Sequence, residues 1–102
     1  MAVIKITKDN FDMVKGSEKT VLLDFYADWC GPCRMVSPIV DSISEEHPEY
    51  LVGKINVDEE GELAAAFGVM SIPTLVVMKN GEIVSNEAGA RPKSQILAML
   101  EG

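Results

Sequence analysis

The chain has 102 residues, of which 47% are hydrophobic and 25% are charged, the balance of a soluble globular protein. This length predicts one domain, residues 1–102. Sixteen acidic residues against nine lysines and arginines give a formal net charge of −7. This charge argues against nucleic-acid binding and against association with anionic membranes, because both rely on basic side chains.

The beginning of the chain, Met1 to Lys5, has neither the basic region nor the apolar stretch of a signal peptide. No apolar run approaches the roughly 20 residues that are needed to span a bilayer. We therefore expect a cytoplasmic protein. Nothing in the sequence favours an obligate dimer, so we expect a monomer.

The hydrophobic pattern predicts that strands and helices alternate along the chain. The predicted strands, in chain order, are residues 3–6, 20–26, 51–57, 74–79 and 82–87. The predicted helices begin after Asn10, near Cys30, after Asp58 and at Pro92. Residues 20–26 are almost continuously apolar, which is typical of a strand buried on both faces. The pattern indicates an α/β fold, one sheet with helices on both faces.

Capping and proline signals set the predicted helix ends. Gly16 ends the first helix, and Pro48 closes the second, in which Pro38 should produce a kink. Asp58 is the predicted cap of the third helix, and Gly68 is a good C-terminal stop for it.

The last part of the chain predicts a hairpin followed by a helix. Asn80-Gly81 favours a type I′ turn, because both central positions of that turn have positive φ. Pro92 suits the first turn of the last helix. The inner face of that helix carries Ile96, Met99 and Leu100.

Cys30 and Cys33 are the only cysteines and are separated by two residues. A disulfide framework usually has more cysteines, and a zinc site would need two further ligands, so we expect no metal. The pair follows a predicted buried strand and opens a helix, where free amides and the helix dipole stabilise a thiolate and lower its pKa. Cys30 is therefore the expected nucleophile, and Cys33, one turn further in and more buried, would attack a mixed disulfide on it. The alternative is an inert pair of thiols near a loop.

Asp24 interrupts an apolar strand and shares a face with Leu22 and Tyr26. Burial of a carboxylate is costly, so its pKa should rise and the group could exchange a proton near neutral pH. The alternative is an aspartate at a strand end that reaches solvent.

Three segments together resemble the thioredoxin family, and the similarity extends over the whole chain. They are Trp29-Cys30-Gly31-Pro32-Cys33, the preceding Asp24-Phe25-Tyr26-Ala27, and Ile72-Pro73-Thr74. The resemblance implies the thioredoxin fold, a central mixed five-stranded sheet flanked by four helices. It also implies a protein-disulfide reductase that works by dithiol–disulfide exchange. Gly31 and Pro32 between the cysteines point to the reducing branch.

The resemblance implies a role for each residue of the cysteine site. Cys30 attacks substrate disulfides, Cys33 resolves the mixed disulfide, and the two form the redox disulfide Cys30–Cys33. Asp24 accepts the proton of Cys33 through a water molecule. Lys54 pairs electrostatically with Asp24, although a solvated lysine at a strand end is the alternative.

The resemblance also implies a substrate surface. Pro73 is expected to be cis and to lie against the cysteine pair, with Ile72 binding a substrate segment as an extra strand through its backbone. The rest of this surface would comprise Trp29, Gly31, Pro32, Gly89 and Ala90. The alternatives are core packing for Trp29 and a strand terminator for Gly89.

Members of such a family need no bound cofactor, and a separate thioredoxin reductase supplies their electrons. The implied partners are this reductase and diverse disulfide-containing proteins, with roles in electron transport and cell redox homeostasis. Two rival functions remain: an oxidase or isomerase of the same fold, and a non-enzymatic binding module around Trp29 and Pro73.

Overall fold

The computed structural model describes residues 3–102, which form one five-stranded mixed sheet and four helices. The strands are β1 (Ile4–Lys5), β2 (Thr20–Tyr26), β3 (Tyr50–Asn56), β4 (Thr74–Lys79) and β5 (Glu82–Ala88). The helices are α1 (Phe11–Lys15), α2 (Gly31–Glu46), α3 (Gly61–Ala66) and α4 (Lys93–Glu101). The predicted fold class is confirmed.

The strand order is β1-β3-β2-β4-β5. β3 runs parallel to both β1 and β2, whereas β4 runs antiparallel to β2 and β5. The parallel neighbours need crossover connections, and α1 and α2 occupy those connections. The C-terminal ends of β2 and β3 therefore lie at the same end of the sheet as the beginning of β4.

Two apolar clusters cover the two faces of the sheet. Successive side chains of a strand point to opposite faces, and β2 contributes Val21, Leu23 and Phe25 to one cluster and Leu22 to the other. The first cluster includes residues of α1 and α3, and the second includes residues of α2 and α4. This double burial explains why β2 is apolar at nearly every position.

The predicted hairpin between β4 and β5 is confirmed. Asn80 has φ 54° and Gly81 has φ 80°, as a type I′ turn requires. Most residues of β5 are exposed, since it is the edge strand of the sheet. Of the predicted inner residues of α4, Ile96 and Leu100 are buried, whereas Met99 is partly exposed.

The prediction that Asp58 caps α3 is wrong. The N-cap position is Glu60, and α3 begins at Gly61. The backbone N–H of Asp58 donates instead to the side chain of Asn56, at 2.9 Å. This turn after β3 delays the start of the helix by two residues.

Other boundaries differ from the prediction by a residue or two. β1 covers only residues 4–5, and β3 lies one residue earlier than expected. Pro92 occupies the N-cap of α4 with an extended ψ of 160°, instead of lying in the first turn. Within residues 3–102, no helix is both long enough and apolar enough to span a membrane.

Candidate functional site

The two cysteines lie where three segments of the chain meet. Cys30 follows β2, Cys33 lies in the first turn of α2, and Ile72 and Pro73 precede β4. The antiparallel register places Phe25 of β2 opposite Thr74 of β4, so these segments meet at the same end of the sheet. Ala27, Cys30 and Cys33 form a small buried cluster there.

Cys30 and Cys33 are joined by a disulfide with Cα atoms 5.3 Å apart. Cys30 is the N-cap of α2, and the backbone N–H of Cys33 donates to its Sγ at 3.2 Å. Pro32, in the first turn, has no N–H to leave without a partner. The start of α2 therefore directs an amide proton at the sulfur of Cys30, an arrangement that favours a thiolate there.

Burial does not distinguish the two cysteines. Cys30 is 4% exposed and Cys33 is 3% exposed. The prediction that Cys33 is more buried than Cys30 therefore agrees in direction with these values, but the difference is too small to separate the roles of the two residues. The asymmetry between them lies instead in the amide of Cys33, which points at the sulfur of Cys30.

The loop before β4 lies against the cysteine pair. The Ile72–Pro73 peptide bond is cis, and the carbonyl oxygen of Ile72 is 3.8 Å from Cys30 Sγ. The backbone N–H of Gly89 donates to the carbonyl oxygen of Pro73 at 2.8 Å, with Gly89 at φ 100°. This hydrogen bond joins the end of β5 to the loop, and the positive φ that it requires of residue 89 favours glycine there.

Trp29 lies on the surface beside the disulfide. This residue is 69% exposed, which excludes core packing, and its indole Nε1–H donates to the carboxylate of Asp58 at 2.9 Å. An adjoining cleft of about 380 Å³ is lined by Trp29, Val57, Ala64, Val69, Met70, Ser71 and Ile72. Gly31, Pro32 and Ala90 are also exposed, and Ile72 and Gly89 are partly exposed.

Asp24 is completely buried below the cysteines, so it is not a strand-end side chain that reaches solvent. Burial raises the pKa of its carboxyl to about 7; the positive charge of Lys54 lowers this pKa, and the negative charge of Asp41 raises it. Neither carboxyl oxygen accepts a hydrogen bond from residues 3–102. A cleft of about 160 Å³ is lined by Asp24, Tyr26, Ala27, Asp28, Cys33, Arg34 and Ser37.

Lys54 lies directly opposite Asp24 in the register of β2 and β3. Its ammonium nevertheless contacts other groups: it donates to Ser37 Oγ and lies 3.3 Å from Asp41 Oδ1. The expected pairing of Lys54 with Asp24 is therefore an electrostatic influence, without a hydrogen-bonded ion pair.

Three residues near the site were not singled out for it from the sequence: Ser37, Asp41 and Asp58. Cys33, Ser37 and Asp41 are each four residues apart, so they share one face of α2, and this spacing is a signal that could have found them. Asp58 shows no such signal, because its contact with Trp29 joins residues that are distant in the sequence.

Among residues 3–102, no group of three or more His, Cys, Asp or Glu side chains is placed to hold a metal ion. The chemistry of the site is that of two sulfur atoms that are close enough to form and break one bond. A disulfide between cysteines three positions apart at a helix start, beside an exposed apolar surface, is the arrangement of a thiol–disulfide oxidoreductase site.

Comparison with known proteins identifies the family. The thioredoxin family model matches residues 2–102. The thioredoxin of Listeria monocytogenes is 50% identical over 95 residues, which are 92% of this chain and 91% of that protein. That of Bacillus subtilis is 45% identical over 97 residues, 94% and 92% of the two chains.

A solved structure of a mutant thioredoxin from Halobacterium salinarum NRC-1 has a TM-score of 0.92 and 38% identity, and the match covers 98% of this chain and 88% of that one. The chain belongs to the thioredoxin family. Its function is that of a protein-disulfide reductase, with the Cys30–Cys33 pair at disulfide distance.

Proposed function

We propose that Cys30 is the attacking thiol and that Cys33 resolves the mixed disulfide. The observation that carries this assignment is the hydrogen bond from the Cys33 N–H to Cys30 Sγ at the N-cap of α2. An amide donor and the positive end of the helix dipole favour negative charge on the sulfur of Cys30. The attacking species in thiol–disulfide exchange is the thiolate.

The exchange takes place in two steps. The Cys30 thiolate attacks one sulfur of the substrate disulfide, a mixed disulfide forms, and the first substrate thiol leaves. Cys33 then loses its proton and attacks Cys30, which forms the Cys30–Cys33 disulfide and releases the second substrate thiol. The substrate gains two electrons and two protons, and the dithiol of this protein is oxidised. The second attack is intramolecular because both cysteines belong to one chain, and a Cα–Cα distance of 5.3 Å puts their sulfur atoms within reach of each other.

Asp24 is the proposed acceptor of the Cys33 proton. The two residues line the same cleft, and burial raises the pKa of Asp24 to about 7. A base whose pKa is near the working pH is deprotonated in a large fraction of molecules and is still basic enough to accept a proton. A water molecule in this cleft would relay the proton, and the positive charge of Lys54 would limit how far the pKa of Asp24 rises.

The proposed substrate surface surrounds the disulfide. The backbone of Ile72, whose carbonyl lies 3.8 Å from Cys30 Sγ, would pair with an extended segment of the substrate. Pro73 would hold that loop in place, while the remaining contacts would come from Trp29, Gly31, Pro32, Gly89 and Ala90. Backbone pairing reads little side-chain identity, which suits diverse protein substrates.

A separate thioredoxin reductase is the proposed electron source, with no cofactor bound to this chain. We place the protein in the cytoplasm as a monomer, with roles in electron transport and cell redox homeostasis. Catalytic reduction of the Cys30–Cys33 disulfide by a purified thioredoxin reductase tests the partner. Failure with both nicotinamide-dependent and ferredoxin-dependent reductases would contradict this assignment.

Trapping of the intermediate tests the roles of the two cysteines. With insulin as the disulfide substrate, Cys33→Ser should accumulate a mixed disulfide on Cys30, visible by intact mass and lost on addition of a reductant. Cys30→Ser is the matched control and should accumulate none. Accumulation in Cys30→Ser alone would reverse the assignment.

Equilibration with a glutathione buffer tests the direction of the reaction. A reductase should keep its disulfide in moderately reducing buffer, because its dithiol is the stronger reductant. Easy reduction of the pair by that buffer would favour an oxidase or isomerase. Full biological activity of Cys30→Ser would favour a binding module.

A further inference from the structure

Asp24 and Lys54 face each other across β2 and β3 but form no ion pair. The two residues are partners in the parallel register, and their side chains lie on the face that α2 covers. The Lys54 ammonium donates to Ser37 Oγ and lies 3.3 Å from Asp41 Oδ1. Both oxygens of Asp24, by contrast, accept no hydrogen bond from the described part of the chain.

We propose that Ser37 and Asp41 are positioning residues that hold the Lys54 ammonium away from Asp24 and thereby keep Asp24 able to accept the proton of Cys33. This inference rests on the proposed role of Asp24 as proton acceptor. A direct contact with an ammonium group would favour the ionised carboxylate and make it a weak base. The clamp, defined as Ser37 and Asp41, prevents that contact.

The arrangement of α2 supports this role. Cys33, Ser37 and Asp41 are four residues apart and share one helix face, so the resolving cysteine and the clamp are positioned by the same helix. The Lys54 side chain is 19% exposed and that of Asp41 is 53% exposed. Asp41 therefore keeps its charge in contact with solvent while it attracts the ammonium outward from the buried carboxyl.

Among the titratable groups that the structure describes, Lys54 is the cation whose charge lowers the pKa of Asp24. The cleft beside it contains Tyr26, Asp28, Cys33 and Arg34. Burial is the main cause that raises the pKa of Tyr26 above its ordinary value, so this group is neutral near pH 7. The residue of β4 opposite Asp24 is Leu75, which belongs to one apolar cluster with Ile96 and Leu100 of α4. These neighbours carry no charge. Within residues 3–102, the charges that shift the pKa of Asp24 are those of Lys54 and Asp41.

Removal of Asp41 should lower the pKa of Asp24 in two ways. Loss of its negative charge removes a repulsion from ionised Asp24, and release of Lys54 lets the ammonium approach the carboxyl. Ser37→Ala removes one of the two contacts that hold Lys54 without a change in charge, so this variant separates the effect of the clamp from that of the repulsion. In a Lys54→Met background, Ser37→Ala should have no effect on Asp24 and Asp41→Asn only the smaller effect of the lost repulsion.

The direct test is an NMR titration of the Asp24 carboxyl in the oxidised protein. We expect its midpoint to fall by roughly 1 pH unit in Asp41→Asn, and in the same direction in Ser37→Ala, as an approaching cation requires. Two controls should keep the wild-type midpoint. Glu46→Gln makes the same charge change on α2, where Glu46 binds Lys93, and Ser37→Thr keeps the hydroxyl. Unchanged midpoints in both Ser37→Ala and Asp41→Asn would overturn the proposal.

The kinetic test uses the pH profile of insulin reduction, with thermal unfolding to confirm that each variant folds. Asp41→Asn should move the acidic limb of the profile to lower pH, and should have no effect in an Asp24→Asn background. If Asp24→Asn leaves the wild-type profile unchanged, the proposed role of Asp24 fails. If Asp24→Asn changes the profile but Asp41→Asn does not, the clamp alone fails.

Discussion

Replacement of the buried Asp24 by asparagine should stabilise the oxidised protein above neutral pH. Asp24 is 0% exposed, and burial raises its pKa from 3.8 to about 7. Between these values the native state binds more protons than the unfolded chain, so the free energy of unfolding falls as the pH rises. The stabilising contribution of protonated Asp24 is complete below pH 3.8 and is lost above about pH 7.

The size of this effect follows from the two pKa values. At 1.36 kcal/mol for each pH unit, the difference between 3.8 and about 7 corresponds to about 4 kcal/mol. Asparagine has nearly the same shape as protonated aspartic acid but carries no titrating proton. We therefore expect the stability difference between variant and wild type to grow by about 4 kcal/mol in favour of the variant between pH 4 and pH 8.

Urea unfolding of the oxidised proteins at several pH values measures this difference. Asp12→Asn is the matched control, since the Asp12 side chain is 98% exposed, and its stability relative to wild type should change little with pH. The reasoning is refuted if the difference between Asp24→Asn and wild type is constant from pH 4 to pH 8. That result would mean that Asp24 remains ionised and well solvated in the native protein.

Two further substitutions test packing and docking. A Cβ at Gly53 would lie 2.5 Å from Ile6 Cγ1, so Gly53→Ala should lower the free energy of unfolding by roughly 1–3 kcal/mol. Gly61→Ala is the control, because its new Cβ meets no atom within 4 Å. An unchanged urea midpoint in Gly53→Ala would contradict the close contact. Trp29→Ala should raise the KM for insulin but leave the rate with a small aromatic disulfide unchanged, because Trp29 is exposed beside the cysteines; equal effects on both substrates would argue against a docking role.

The interior of the fold could be predicted from the sequence more accurately than its edges. The bounds of β2 and β4 agree with the prediction at every residue, because both strands are buried on two faces and therefore apolar at nearly every position. The start of α3 could not be predicted in this way. Asp58 and Glu60 are both acidic candidates for its cap, and the choice depends on a turn with Asn56 that forms only in the folded chain.

The site shows the same division between local and distant information. The cysteine spacing and the carboxylate within an apolar strand are local patterns, and they led directly to Cys30, Cys33 and Asp24. The contact of Trp29 with Asp58 and that of Lys54 with Asp41 depend on distant segments. No sequence pattern specifies which of several acidic residues will meet a given partner.

Asp24 is the position where local rules of folding and the requirements of the chemistry oppose each other. An apolar residue there would complete the cluster around Leu22 and Leu75 and remove the cost of a buried carboxyl. A charged partner in direct contact would also lower that cost, but it would remove the basicity that the proposed proton transfer from Cys33 requires. The observed arrangement is intermediate, since Lys54 acts on Asp24 through space while Ser37 and Asp41 hold its ammonium. A loss of stability above neutral pH is therefore the expected consequence of the role proposed for Asp24 as a base beside Cys33.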